Sequence, residues 1–295
     1  MFHFLPSALK GCISLLLYIA NTLFWVPLLL ILSLLKFIIQ LKSLIVFFNL
    51  LINGIALSWI SVNNFCQQIV NNTRYHIEGV DDLKADNWYL VVCNHQSWAD
   101  ILVLQRIFHR KIPFLKFFLK KELLWVPLLG LAWWALDFPF MKRYPSEFVK
   151  KNPQFKGKDI EITRKACEKF KAIPVSIMNF VEGTRFTPEK HRRQNSPYRH
   201  LLKPKSGGIG FVLSAMGEKL NTLLDVTIIY PRRCPTFWDF MCGKIQEINV
   251  RVKAIPINEM LIGDYSGDAE FRAGFQAWVN TLWEEKDRTM TAFPL

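Results

Sequence analysis

The chain has 295 residues, 51% of them apolar and 14% aromatic, with a formal charge of +13. Such apolarity excludes a disordered chain, and the length allows one large domain plus a membrane segment, or two small domains. The basic balance suits a nucleic acid, an anionic lipid surface or a phosphorylated substrate.

Position separates these classes. Before Glu78, the first acidic residue, the only charges are Lys10, Lys36, Lys42 and Arg74. A soluble nucleic-acid binder has no use for such a stretch, and the chain carries no nucleic-acid recognition motif. Residues 11–35 are uncharged, and a bilayer span needs about 20 apolar residues. A second apolar run covers 37–62, with Lys42 near its start. A cleaved signal peptide fits badly, because the first run is too long and the second follows at once. Residues 1–70 are therefore expected to hold two membrane helices, near 11–35 and 43–62, and 71–295 a separate domain. The pair either spans the bilayer or forms a hairpin in one leaflet, with Lys36 and Lys42 snorkelling to the headgroups. Either topology leaves 74–295 on one face. Its excess of Lys and Arg predicts the cytoplasmic side, of a bacterial inner membrane or an endomembrane.

Beyond Asn71 the pattern alternates. Strands are expected at 88–93, 174–180, 225–230 and 250–255, and helices at 98–109, 158–171, 208–216 and 271–286. Residues 112–117 read as a strand or a short helix. The apolar run 123–136, with Trp125, Trp133 and Trp134, reads as a buried helix or an interfacial element. This alternation predicts one α/β domain with a central, largely parallel sheet flanked by helices. The cysteines, at 12, 66, 93, 167, 234 and 242, form no C-x-x-C pair. Neither a disulfide framework nor structural zinc is expected.

The first chemical element, Asn94-His95-Gln96-Ser97-Trp98-Ala99-Asp100, joins a strand to a helix. If Ser97 caps the helix, Asp100 falls at the third helical position and completes a capping box, with His95 an ordinary loop residue. The same geometry aims the carboxylate back at His95. There it would accept the Nδ1–H and leave Nε2 as a general base. The second element is Glu182-Gly183-Thr184-Arg185. Gly183 permits a tight turn, Arg185 offers a planar fork for phosphate, and Glu182 would orient that arginine or contact the substrate. An ordinary turn with a surface ion pair is the alternative. Lys142 and Arg143 end an apolar segment and suit a phosphate at a membrane surface, or a solvated loop. Lys205 precedes Ser206-Gly207-Gly208 and a helix whose N-terminus could take an anion. Ile228-Ile229-Tyr230-Pro231 ends a strand, with Arg232 and Arg233 beyond it. No Walker loop, nucleophile elbow or dinucleotide fingerprint is present.

In this combination and order the blocks resemble the glycerolipid acyltransferase family over residues 75–235. The nearest branch resembles the 1-acylglycerol-3-phosphate O-acyltransferases, also called lysophosphatidic acid acyltransferases. The runs 94–100 and 180–191 are similar to the sub-branch that includes lysocardiolipin acyltransferases. Val181 stands where the family commonly has Pro, and Met141-Lys142 where it commonly has Ile-Asp. The resemblance implies a membrane enzyme that uses acyl-CoA or acyl carrier protein as co-substrate, with no metal and no other cofactor. His95, oriented by Asp100, would deprotonate the sn-2 hydroxyl of lysophosphatidic acid, and phosphatidic acid would form in one step. Another lysophospholipid, such as lysophosphatidylglycerol or lysocardiolipin, is the alternative acceptor, and a non-catalytic lipid-binding protein the rival class. Arg185, helped by Lys142, Arg143 or Lys205, would hold the acceptor phosphate, and N–H groups near Gly183 and Thr184 the oxyanion. The cluster Lys190, His191, Arg192, Arg193, Arg199, Lys203 and Lys205 would serve anionic lipid, CoA or carrier protein, or be a solvated loop. Trp133, Trp134 and residues 128–131 are offered as the wall of an acyl tunnel.

Overall fold

The apolar runs flanking the motifs form the inner strands of one sheet. The computed structural model describes residues 4–39, 41–141, 161, 165, 167 and 173–293. Two long helices come first, α1 (Ser7–Ile38) and α2 (Lys42–Val70). Then follow β1 (Arg74–Glu78), β2 (Tyr89–Cys93), α3 (Ala99–Ile107), β3 (Leu115–Phe117), β4 (Leu119–Lys120), α4 (Leu129–Ala135) and β5 (Phe140–Met141). The second half holds β6 (Ser176–Phe180), α5 (Pro188–Gln194), α6 (Gly207–Met216), β7 (Thr222–Ile229), α7 (Phe237–Met241), β8 (Glu247–Pro256) and α8 (Ala269–Ala292).

The main sheet has the order β1-β8-β7-β2-β6-β3. Only the β7–β8 pairing is antiparallel. Strand β2 lies at the centre, wholly buried and almost wholly apolar, because helices cover both faces of the sheet. Its side chains alternate between two cores. Tyr89, Val91 and Cys93 pack with α3, α4 and the N-terminal helix pair, whereas Leu90 and Val92 pack with α6 and α8.

Two expectations change in detail. A strand forms at Arg74–Glu78, where only Tyr75 and Ile77 are apolar, because the edge of β8 offers it a parallel ladder. The run 123–136 is not one helix. A 3₁₀ turn, Lys121–Trp125, precedes α4, and they are separated by Pro127 and by Leu128 at φ 61°. The run is buried on one face and exposed on the other. Ala132 and Ala135 are buried, while Trp125 and Trp134 are exposed. The helix expected at 158–171 lies outside the described residues, apart from Glu161, Lys165 and Cys167.

The helix pair is part of the domain's core. Val26, Leu29, Ile52 and Ala56 are buried with Val91 and Val103. Polar residues stitch its inner side: Asn21 Nδ2 donates to Asn63 Oδ1 at 2.8 Å, and Gln67 bonds the Tyr18 hydroxyl. Near its start α1 meets α7 at Gly11, where a Cβ would lie 2.6 Å from Cys242 Sγ and 2.8 Å from the Trp238 ring. Near its end Lys36 pairs with Asp137 at 3.0 Å. The opposite faces of both helices are apolar and exposed, with Leu16, Phe24, Ile31, Phe47 and Leu50 among them.

Candidate active site

The parallel register brings distant motifs to one level. Cys93 at the end of β2 is paired with Phe180 of β6 on one side and Val226 of β7 on the other. The segments that follow these three strands therefore emerge together at the carboxyl edge of the sheet, where open α/β folds place their ligands. Asn94 locks two of them. Its Nδ2 donates to the Ile228 carbonyl and its Oδ1 accepts from the Ile228 N–H, both at 2.9 Å.

His95 and Asp100 are brought together as a bonded pair, His95 Nδ1 to Asp100 Oδ2, at 2.9 Å. The same oxygen accepts the N–H of Gln96 at 2.7 Å and of Ser97 at 2.9 Å. The expected capping box on Ser97 does not form, because α3 starts one residue later, after Trp98, with no side-chain cap; the carboxylate instead binds the N–H groups of the turn before the helix and grips the imidazole. Because an ionised carboxylate only accepts, Nδ1 carries the proton and Nε2 is left as the basic nitrogen. The ring lies flat on Phe180, with centroids 3.8 Å apart and an angle of 13°. Asp100 is fully buried, and its other oxygen, Oδ1, accepts the Tyr230 hydroxyl at 2.7 Å. Burial, reinforced by Asp100, pushes the Tyr230 phenol well above its ordinary range, so it remains a donor. Tyr230 was visible in the sequence only as the end of a strand; its partner lies 130 positions away.

Glu182 occupies a different place from the one expected. It is fully buried and faces the backbone, with Oε1 accepting the His95 N–H at 3.2 Å and Oε2 the Leu202 N–H at 3.1 Å. It clamps the histidine loop to the segment before α6 and makes no bond to Arg185. Burial pushes its carboxyl up to about 8, against the two N–H bonds that favour the charged form. Gly183 turns the chain at φ 69°, a region that disfavours any side chain, and its N–H is committed to the Phe180 carbonyl at 2.9 Å. The N–H groups of Thr184 and Arg185 have no acceptor among the described residues. Lys190 braces this turn, its Nζ donating to Thr184 Oγ1 at 2.8 Å and to the Arg185 carbonyl at 3.0 Å. The Arg185 guanidinium lies 4.6 Å from the centre of the Trp98 ring, so its edge N–H groups are left for an anion.

These groups surround a cavity of about 350 Å³, walled by His95, Trp98, Phe117, Phe180, Thr184 and Arg185. A second cavity of about 460 Å³, mostly apolar, lies between the N-terminal helices, α3 and α4. Ile101 lines both. Leu128, Leu129 and Trp133 wall the apolar cavity, whereas Leu131 and Trp134 point outward. Lys205 is exposed and lines neither. At the start of α6 beside it, Ser206 N and Oγ both bond Gln276 Oε1, at 3.2 and 2.6 Å. Lys142 and Arg143 lie outside the described residues.

A buried His–Asp pair on the strand-to-helix turn of a mainly parallel sheet, beside an arginine turn and under an apolar helix pair, defines the class of the fold and site. Residues 74–231 match the sequence model of the Acyltransferase family, and the chain belongs to that family. It is 24% identical over 252 residues to a probable 1-acyl-sn-glycerol-3-phosphate acyltransferase 5 of Arabidopsis thaliana, covering 80% of this chain and 61% of that protein. It is 25% identical to mouse 1-acyl-sn-glycerol-3-phosphate acyltransferase gamma, over 67% of this chain and 51% of that one. Lysocardiolipin acyltransferase 1 of Danio rerio is 27% identical over 41% of this chain and 32% of its own length. The chain thus spans from about half to 61% of the length of the first two relatives. Among solved structures, the 1-acyl-sn-glycerophosphate acyltransferase PlsC of Thermotoga maritima shares the fold, with a TM-score of 0.51 at 16% identity over 94% of this chain and 98% of that one.

Proposed function

We propose that the protein is a membrane-bound acyltransferase that moves a fatty acyl group from a thioester, acyl-CoA or acyl carrier protein, onto the sn-2 hydroxyl of lysophosphatidic acid. The observation that carries this reading is the His95–Asp100 pair facing Arg185 across one cavity. His95 Nε2 removes the hydroxyl proton as the oxygen bonds the thioester carbonyl carbon. The carbon–sulfur bond then breaks, and the departing thiolate takes the proton back from the imidazolium, with no covalent enzyme intermediate. The N–H groups of Thr184 and Arg185 are the donors available to the oxyanion. Arg185, steadied on Trp98, holds the acceptor phosphate, with Lys142 and Arg143 as further candidates. The apolar cavity beyond Ile101 receives an acyl chain. The names of the relatives from Arabidopsis and mouse favour lysophosphatidic acid as acceptor, and the match to the zebrafish enzyme keeps a lysocardiolipin-type acceptor as the second reading.

The contacts of α1 support a position in one leaflet. A helix of 32 residues is about 48 Å long, yet it touches the domain near both ends, through Gly11 and through Lys36. A helix crossing the bilayer could not keep both ends on a domain that stays on one side. Contact at both ends therefore supports a pair lying in the plane of one leaflet, with its exposed apolar face in the acyl region. The domain is assigned to the cytoplasmic face on the support of its excess of Lys and Arg.

The test is transfer of radiolabelled oleoyl-CoA to a panel of lysophospholipids by purified protein and by His95→Ala. Transfer to lysophosphatidic acid, reduced about 10²- to 10⁴-fold in the variant, supports the reading. Undiminished transfer by His95→Ala would sink it.

A further inference from the structure

A third concavity, of about 370 Å³, lies beyond Tyr230 and shares no lining residue with the other two. Its walls include Arg232 and Arg233, which follow β7, and Lys244, which precedes β8. Asp239 organises it. The carboxylate is fixed by the Thr236 hydroxyl at 2.8 Å and the Thr236 N–H at 3.1 Å in a capping box. That hydroxyl bond, with the nearby cations, holds Asp239 below the ordinary carboxylate range. Its two oxygens draw in Arg233 Nη2 and Lys244 Nζ, each at 3.4 Å. Both cations remain largely exposed, so most of their donors are unspent. Arg232 is exposed and has no acidic partner among the described residues. The other carboxylate on the wall, Glu247, is engaged by Asn249 at 3.0 Å and lies 3.6 Å from His76. Three cations thus converge on a hollow where one carboxylate serves to position two of them.

The setting indicates the anion. Phe237 and Trp238 are exposed on α7, next to the arginines. Trp238 packs on Gly11, near the start of the apolar helix α1. Cations beside aromatic side chains at the end of an apolar helix stand at headgroup depth.

We infer that this hollow is a binding site for the phosphate of an anionic membrane lipid that is not the substrate, and that it seats the catalytic face on the bilayer. It is separate from the Arg185 cavity, and it stands whether or not the acceptor proposed above is right.

The test uses the full chain, partitioned from neutral detergent between vesicles of phosphatidylcholine alone and vesicles of phosphatidylcholine with phosphatidylglycerol. Arg232→Gln, Arg233→Gln and Lys244→Gln are each compared with Lys84→Gln/Lys219→Gln, which removes two exposed charges elsewhere. Each substitution in the hollow is expected to reduce the preference for anionic vesicles about fivefold. Binding to neutral vesicles and acyl transfer in micelles should stay unchanged, which also reports folding. Arg232→Gln breaks no contact, so a folding failure in the others leaves the test intact. An equal loss in Lys84→Gln/Lys219→Gln would reduce the effect to general surface charge and overturn the site. A raised KM for acyl-CoA in micelles would assign the hollow to the donor's phosphates, and overturn it as a lipid site.

Discussion

The Tyr230 hydroxyl donates to Asp100 Oδ1 at 2.7 Å, while Oδ2 of the same carboxylate holds His95. Strand β7 thereby reaches the base through its orienting acid. Replacing Tyr230 with Phe removes one hydrogen bond to a charged group, a loss of roughly 1.5–3 kcal/mol. We expect kcat to fall by about tenfold or more, the equivalent of that loss, with KM for the donor unchanged. Steady-state kinetics check this. A lower Tm with unchanged kcat would leave Tyr230 a purely structural residue.

Glu182 predicts a pH dependence of stability. Its carboxyl rises from an ordinary 4.5 to about 8 in the folded protein. The folded state therefore holds a proton that the unfolded state has released, and the slope of unfolding free energy with pH is negative between those values. Its contribution is complete below pH 4.5 and is lost as pH rises toward 8. Denaturant unfolding of Glu182→Gln should show a flatter dependence over this window. It should also show lower stability overall, by about 1–3 kcal/mol, because the amide NH₂ cannot accept from one of the two N–H groups.

Lys286 of α8 is buried and donates to Asp225 at 2.7 Å, to the Val226 carbonyl at 2.6 Å and to Thr227 Oγ1 at 3.0 Å. Lys286→Met strands a buried carboxylate and should cost roughly 3–5 kcal/mol. Asp225→Leu combined with Lys286→Met should recover most of this in thermal unfolding. A double variant as unstable as Lys286→Met would show that the stranded carboxylate is not the source of the loss.

Arg185→Lys keeps the charge but loses the planar fork and the stack on Trp98. Acceptor KM should rise about tenfold, with a smaller change for the acyl donor. An increase confined to the donor would move the phosphate away from Arg185.

Trp133 walls the apolar cavity, and Trp134 does not. Trp133→Ala should extend the preferred acyl chain, and Trp134→Ala should leave it unchanged, in competition assays with donors of graded length. The same preference in both variants would remove the cavity from acyl selection.

The sequence by itself determined what periodicity and local chemistry can carry. The uncharged runs fix two apolar helices, and alternating apolar segments fix a largely parallel sheet between helices. The His95–Asp100 contact was legible because both residues belong to one strand-to-helix turn, five positions apart. Only the tertiary structure decided the rest. Tyr230 reaches Asp100 because β2 and β7 are neighbours in register, a pairing that no local pattern encodes. Glu182 faces two backbone N–H groups rather than Arg185, since its direction depends on a loop 20 residues away. Ser206, just before α6, is bonded by Gln276, from a helix 70 residues further on. Local chemistry names the groups that can react, and long-range packing decides which of them meet.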